Sequence, residues 1–231
     1  MNIFRRVEKK YILTDLEYKK FMEMVSEHLH KDLYFKSTIC NIYFDNDNYD
    51  LIVSSLEKPE FKEKIRLRSY EIPKSLDDKV FFELKGKYNG VVFKRRIDIK
   101  SKDYYDYINK GILPSDSQIM KEIDYTIKKF DLKPKLFLAY DRYSYYDKDN
   151  QEFRITFDEN IRSRCDNLKL EDGDCGKLYF DEAIHIMEIK TLGALPLWFT
   201  KVLSELKIYP NSFSKYGNIY MKDLKEECVY V

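Results

Sequence analysis

Polar and apolar residues alternate over many short stretches of this chain, and a period of two marks strands whose two faces differ in chemistry. The clearest stretch is residues 62–68, Lys-Glu-Lys-Ile-Arg-Leu-Arg, which puts Lys62, Lys64, Arg66 and Arg68 on one face and Ile65 and Leu67 on the other. Glu83, Lys85 and Lys87 alternate in the same way with Phe82 and Leu84, and Lys94 and Arg96 with Phe93 and Ile97; Glu188 and Lys190 close a late strand. The pattern predicts strands over 7–13, 36–44, 61–71, 80–87, 91–100, 135–146, 152–158 and 177–190, with Asn89-Gly90 as a hairpin turn.

Helical spacing follows Thr14-Asp15, where Leu16, Phe21, Met24, Val25 and Leu29 approximate one stripe. In the middle of the chain Ser101 is expected to cap KDYYDYINK, Gly111 to end it, and Ser115 or Ser117 to begin a helix through Phe130. Gly193 and Pro196 introduce a helix over 197–206, and a helical tail is expected over 214–226. The Asp45-Asn46-Asp47-Asn48 cluster lacks the glycine and distal glutamate of a calcium loop and reads as a polar turn, as does EDGDCG at 171–176. The sum is one α+β domain over 1–231, with about eight mostly antiparallel strands whose sheet is expected to close, and helices in one insertion and at the ends.

Composition shows that the positive charge is local. With 41 basic and 40 acidic residues the net charge is +1, so no global cationic field marks a nucleic-acid binder. Like charges side by side on a strand are stable only where water, acidic neighbours or a polyanion lies against them, and several such strands suggest a sheet around a phosphate-binding interior. The aromatic content of 16%, with 20 Tyr, argues against disorder and fits a large sheet. Cys40, Cys165, Cys175 and Cys228 form no zinc pattern with each other or with His28, His30 and His185, so reduced thiols, a cytoplasmic location and no catalytic histidine are expected. Nowhere do roughly 18 apolar residues stand together, so no membrane segment is expected, although a membrane partner is compatible with the chain.

Read in order, EKKY at 8–11, KIRLR at 64–68, FELK at 82–85, VFKRR at 92–96, AYDRY at 139–143, FRITFD at 153–158, MEIK at 187–190 and FSKY at 213–216 make the chain resemble the polyphosphate-polymerase domain of the VTC type. That family is a branch of the triphosphate tunnel metalloenzymes, which also include the CYTH-type triphosphatases. The resemblance implies an antiparallel β-tunnel, eight-stranded here, lined with cations that hold a triphosphate, and a glutamate-held Mn2+ or Mg2+. It implies transfer of the γ-phosphoryl of ATP to a growing polyphosphate chain, with release of ADP.

Carried over residue by residue, the resemblance assigns a catalytic set of Lys64, Arg66, Arg68, Lys85, Arg142 and Lys215. Substrate binding is assigned to Lys10, Lys94 and Arg154; Arg96 is added by alternation, Ser214 as a hydroxyl donor to the same phosphates, and Tyr140 as a hydroxyl contact from its place two residues before Arg142 on the same strand face. Glu188 matches the metal position; Glu8 and Glu83 share faces with Lys10 and Lys85 and either orient these cations or touch the metal. Two departures stand out: Ser212 occupies a position that is often Lys or Arg, and Arg6 stands where the CYTH signature has its first glutamate, which favours a transferase over a two-metal hydrolase. Three alternatives remain: an inorganic triphosphatase or other phosphohydrolase, a noncatalytic polyphosphate or nucleotide binder, and a plain solvated sheet face.

Overall fold

Strand β1 (Val7–Thr14) ends at a residue that stops the sheet and starts a helix. Thr14 Oγ1 accepts the Glu17 amide while the Glu17 carboxylate accepts the Thr14 amide, a reciprocal cap for α1 (Asp15–Val25). In this computed structural model the described residues are 7–57, 59–89 and 91–225. The expectations for Arg6, for Gly90 of the hairpin turn, for Cys228 and for the tail's end at Glu226 therefore lie outside the described residues.

After α1 and a short 3-10 turn, β2 begins at Leu29 and runs to Asp45, so Leu29 belongs to a strand and not to the predicted helical stripe. Leu16 of that stripe is exposed, whereas Phe21 and Val25 are fully buried. The Asp45-Asn48 cluster is a turn, but it also launches α2 (Asp50–Leu56), which periodicity does not predict. Asp45 accepts the amides of Leu51 and Ile52 at 2.9 and 3.0 Å, and this cap from five residues upstream starts a helix too short to show a stripe.

Three strands follow, β3 (Phe61–Ser69), β4 (Lys79–Tyr88) and β5 (Val91–Lys100). Helix α3 (Ser101–Lys110) ends at Gly111 with φ 71°, a left-handed cap that suits glycine. Ser101 does not cap it; its hydroxyl bonds Glu171 instead, and Lys100 holds the cap position. Ser117 caps α4 (Gln118–Phe130). Strand β6 is Lys133–Asp147 and β7 is Arg154–Arg164. The predicted strand over 177–190 divides into β8 (Lys177–Leu178) and β9 (Ile184–Thr191). Helix α5 is Leu197–Glu205, and Ser214 caps α6 (Lys215–Ile219), which continues into one π turn over 220–224. No helix among the described residues is long and apolar enough to cross a membrane.

These nine strands belong to one sheet, antiparallel in each pairing given below, and the chain divides into two compact units. The first unit, Met1–Ser37, Tyr140–Ile161 and Leu178–Phe213, has the strand order β1-β9-β7-β6-β2. Its core joins Tyr11, Leu13, Ile155, Phe157, Met187 and Ile189 to Phe21 of α1 and Phe199 of α5. The second unit, Thr38–Ala139, Arg162–Lys177 and Ser214–Val231, has the order β7-β6-β2-β3-β4-β5. Ile65, Leu67, Phe82 and Leu84 pack there against Tyr104 and Tyr107 of α3 and Met120 and Ile123 of α4. In both units helices cover the apolar strand face, and the alternate residues carry the charge.

Candidate functional site

Residues directly opposite each other in an antiparallel pair share a face, so strand register orders the charges of the second unit into rows. One row is Lys64, Lys85 and Lys94; the next is Tyr43, Arg66, Glu83 and Arg96; the third begins Asn41, Arg68 and Phe81. Six basic residues predicted from alternation thus share one face.

The second row contains the acidic neighbour that such crowding requires. Glu83 is fully buried, with Arg66 Nε and Nη2 each 2.7 Å from its Oε2; Lys94 is ion-paired to Oε1 and Arg96 lies 3.9 Å away. Burial opposes the charge on Glu83, but Arg66, Arg68 and Lys94 outweigh it and hold its carboxyl at about 2. Arg66 Nη1 also donates to Tyr43 Oη at 3.3 Å, and buried Arg68 donates from Nε to Asn41 Oδ1 at 2.8 Å. Asn41 in turn donates to the Leu138 carbonyl, so both arginines of KIRLR are held by neighbours on the sheet. Lys64 Nζ donates to Ser214 Oγ at 3.4 Å, the same oxygen that accepts the Gly217 amide and caps α6, whose first residue is half-exposed Lys215. Lys85 is exposed on the lysine row.

The first unit has its own charged face. Glu8 stands opposite Lys190, which faces Arg154 on the other side, and Lys10 stands opposite Glu188, which faces Thr156. Lys190 Nζ is 2.9 Å from Glu188 Oε1 and Arg142 Nη2 is 3.7 Å from Oε2. Burial again opposes the charge, yet Lys190, a hydrogen bond from Glu8, Arg142 and Lys10 hold the Glu188 carboxyl well below the usual range. Arg142 forks onto Asp158 at 2.6 and 2.8 Å, and its guanidinium lies 5.3 Å from the ring centre of buried Tyr140. Lys10 Nζ donates to the Phe213 carbonyl at 3.0 Å, while Arg154, more exposed, lies 3.7 Å from Asp32.

Sequence reasoning missed Tyr43, Asn41 and Asp158. Each falls at the i+2 spacing of a polar strand face, 41-43-45 and 154-156-158. Neutral polar residues and single aspartates are ordinary in strands, however, and nothing in the spacing marks them as partners of particular arginines.

Among the described residues no three His, Cys, Asp or Glu side chains group closely enough to hold an ion by themselves. Glu8 adjoins Glu188 closely enough for the two carboxyls to interact. That pair fits a hard divalent ion of the kind that takes one or two carboxylates and completes its shell with water and phosphate oxygens.

Comparison with solved structures gives a fold. A Bacillus halodurans protein carrying a provisional adenylate cyclase assignment superimposes with a TM-score of 0.57 at 13% identity, over 95% of this chain and 97% of its own. A Vibrio parahaemolyticus protein with the same provisional assignment gives 0.49 at 12% identity, over 93% and 97%. A protein of Pyrococcus horikoshii gives 0.48 at 16% identity, over 94% and 99%. No curated protein matches the sequence. The family model of the VTC domain matches residues 5–222, nearly the whole length, and the chain therefore belongs to the VTC domain family.

Proposed function

We propose that this protein is a polyphosphate polymerase, in which the terminal oxygen of a polyphosphate chain attacks the γ-phosphorus of ATP. The bond from that phosphorus to the β–γ bridging oxygen breaks, and ADP leaves with the electron pair. The observation that carries this reading is the row Lys64, Lys85 and Lys94, three lysines in register across β3, β4 and β5, next to Arg66 and Arg68. Like charges in such a register destabilise a sheet, and a polyanion lying on them reverses the sign of the effect.

Phosphoryl transfer asks the protein for position and charge more than for covalent help. Arg66 and Arg68, with their planes held by Glu83 and Asn41, offer forked donors to phosphate oxygens, and Lys64, Lys85, Lys94 and Lys215 act as point charges. Arg96 and Ser214 complete the substrate-binding set of the second unit. In the first unit Lys10, Arg142, Arg154 and Tyr140 take the phosphate-contacting roles. Glu83, enclosed by three cations, orients them and is not a metal ligand in this reading. Glu188, with Glu8 beside it, would hold Mn2+ or Mg2+, and the ion would supply charge neutralisation on phosphate oxygens. The protein works in the cytoplasm, on ATP and polyphosphate and not on nucleic acid.

The test is incubation of pure protein with ATP and Mn2+, followed by a gel that resolves polyphosphate and an assay for orthophosphate. Chain growth matched by ADP is expected. Orthophosphate release without chain growth would make the protein a triphosphatase, and binding with no product would make it a polyphosphate binder.

A further inference from the structure

Tyr43 lies in the row of Arg66, Glu83 and Arg96 and is almost completely buried, although it carries a phenol and not a charge. Its ring stacks on Tyr216 at 4.8 Å between centres and 26° between planes. Tyr216 donates to buried Asp45 at 3.0 Å, so the stack is anchored from below. The Tyr43 oxygen accepts from Arg66 Nη1, while Nε and Nη2 of the same guanidinium are taken by Glu83. Tyr43 and Glu83 together hold the plane of Arg66. The phenol accepts from Arg66, so its own proton must be donated elsewhere.

We propose that Tyr43 is a positioning residue of the phosphate site that holds Arg66 in plane and donates its hydroxyl proton to a phosphate oxygen, so that polyanion binding is linked to the protonation of this one phenol. The inference rests on the phosphate-binding reading above. The groups around Tyr43 set the direction of the linkage. Arg66, Arg68 and Lys64 of β3 face it with positive charge; Tyr216 of α6 contacts its ring; Asp45, the negative group beyond, is bonded to Tyr216. Burial by itself would raise the phenol, but Arg66, Arg68 and Lys64 override it and bring Tyr43 down to about 8. A phosphate chain placed on the same cations neutralises them, removes the cause of the depression and returns the proton to the oxygen. Above the ligand-free value, binding must therefore take up a proton.

The experiment is titration calorimetry of metal-free protein with tripolyphosphate, from about pH 7 to about pH 9, in buffers of different ionisation enthalpy, for wild type and Tyr43→Phe. Wild type is expected to lose about tenfold in affinity across that interval and to take up close to one proton at its upper end. Tyr43→Phe, which keeps the ring stack, should bind more weakly at pH 7 and lose both the proton uptake and most of the pH dependence. The difference between wild-type and variant tyrosinate absorbance should show one phenol titrating near 8 that tripolyphosphate suppresses; the difference is needed because Arg68 and its neighbours also lower Tyr70 against the effect of burial. An unchanged pH profile and proton count in Tyr43→Phe would overturn the role of Tyr43 and leave the phosphate site standing. A wild-type protein that fails to bind tripolyphosphate at every pH would overturn the phosphate site itself.

Discussion

Arg66 and Glu83 stand directly opposite each other on β3 and β4, and two nitrogens of the guanidinium lie 2.7 Å from one carboxylate oxygen that solvent does not reach. The row of cations is therefore built around one buried anion. Removing that anion leaves Arg66 and Lys94 without their shared partner. Glu83→Ala should cost about 3–5 kcal/mol, the usual loss when one partner of a buried ion pair is deleted. Urea unfolding with and without tripolyphosphate checks this, and the ligand should recover part of the loss in the variant because it supplies the missing negative charge.

The same carboxyl sets an acid limit on stability. Its value in the fold is about 2 against an ordinary 4.5, so above 4.5 its contribution is fully present. As the pH falls from 4.5 towards 2 the unfolded chain binds the proton that the folded one refuses, and stability declines across that window. The contribution at stake is about 3 kcal/mol. Unfolding free energies measured as a function of pH should fall steeply in wild type there and much less in Glu83→Gln.

Glu188 separates chemistry from binding. Glu188→Gln keeps the shape of the side chain and removes its negative charge, so turnover with Mn2+ should fall at least about a hundredfold, roughly 3 kcal/mol in the barrier. Metal-free binding of tripolyphosphate to Lys64, Lys85 and Lys94 should persist. An unaltered metal requirement and rate in the variant would exclude Glu188 as the ligand.

Cations in register store repulsion when no polyanion covers them. Tripolyphosphate at several hundred times its dissociation constant should stabilise the protein by roughly 3–4 kcal/mol, and ATP should raise the melting temperature far more than adenosine. Salt screens both the repulsion and its relief, so the difference should shrink at high ionic strength. Equal stabilisation by adenosine would indicate a pocket that recognises the base.

Much of this protein can be read from its sequence because strand alternation is a local property. Lys64, Arg66 and Arg68 share a face whatever they face, and the same holds for Glu83 with Lys85 and for Lys94 with Arg96. Thr14, Ser117 and Gly111 mark their helix boundaries through chemistry confined to three or four residues. Helix α2 was not legible, since its cap is Asp45, a residue that reads as part of a turn, and its seven residues are too few to show a period. Nor does alternation say which strand lies beside which. Register alone placed Glu83 between Arg66 and Arg96 and Tyr43 against Arg66. The same pairing turned Lys64, Lys85 and Lys94 into a single row. Side-chain direction is a consequence of the backbone period, which neighbouring residues fix; the partner of a charge is a consequence of strand pairing across many residues of chain, and only the tertiary structure decides it.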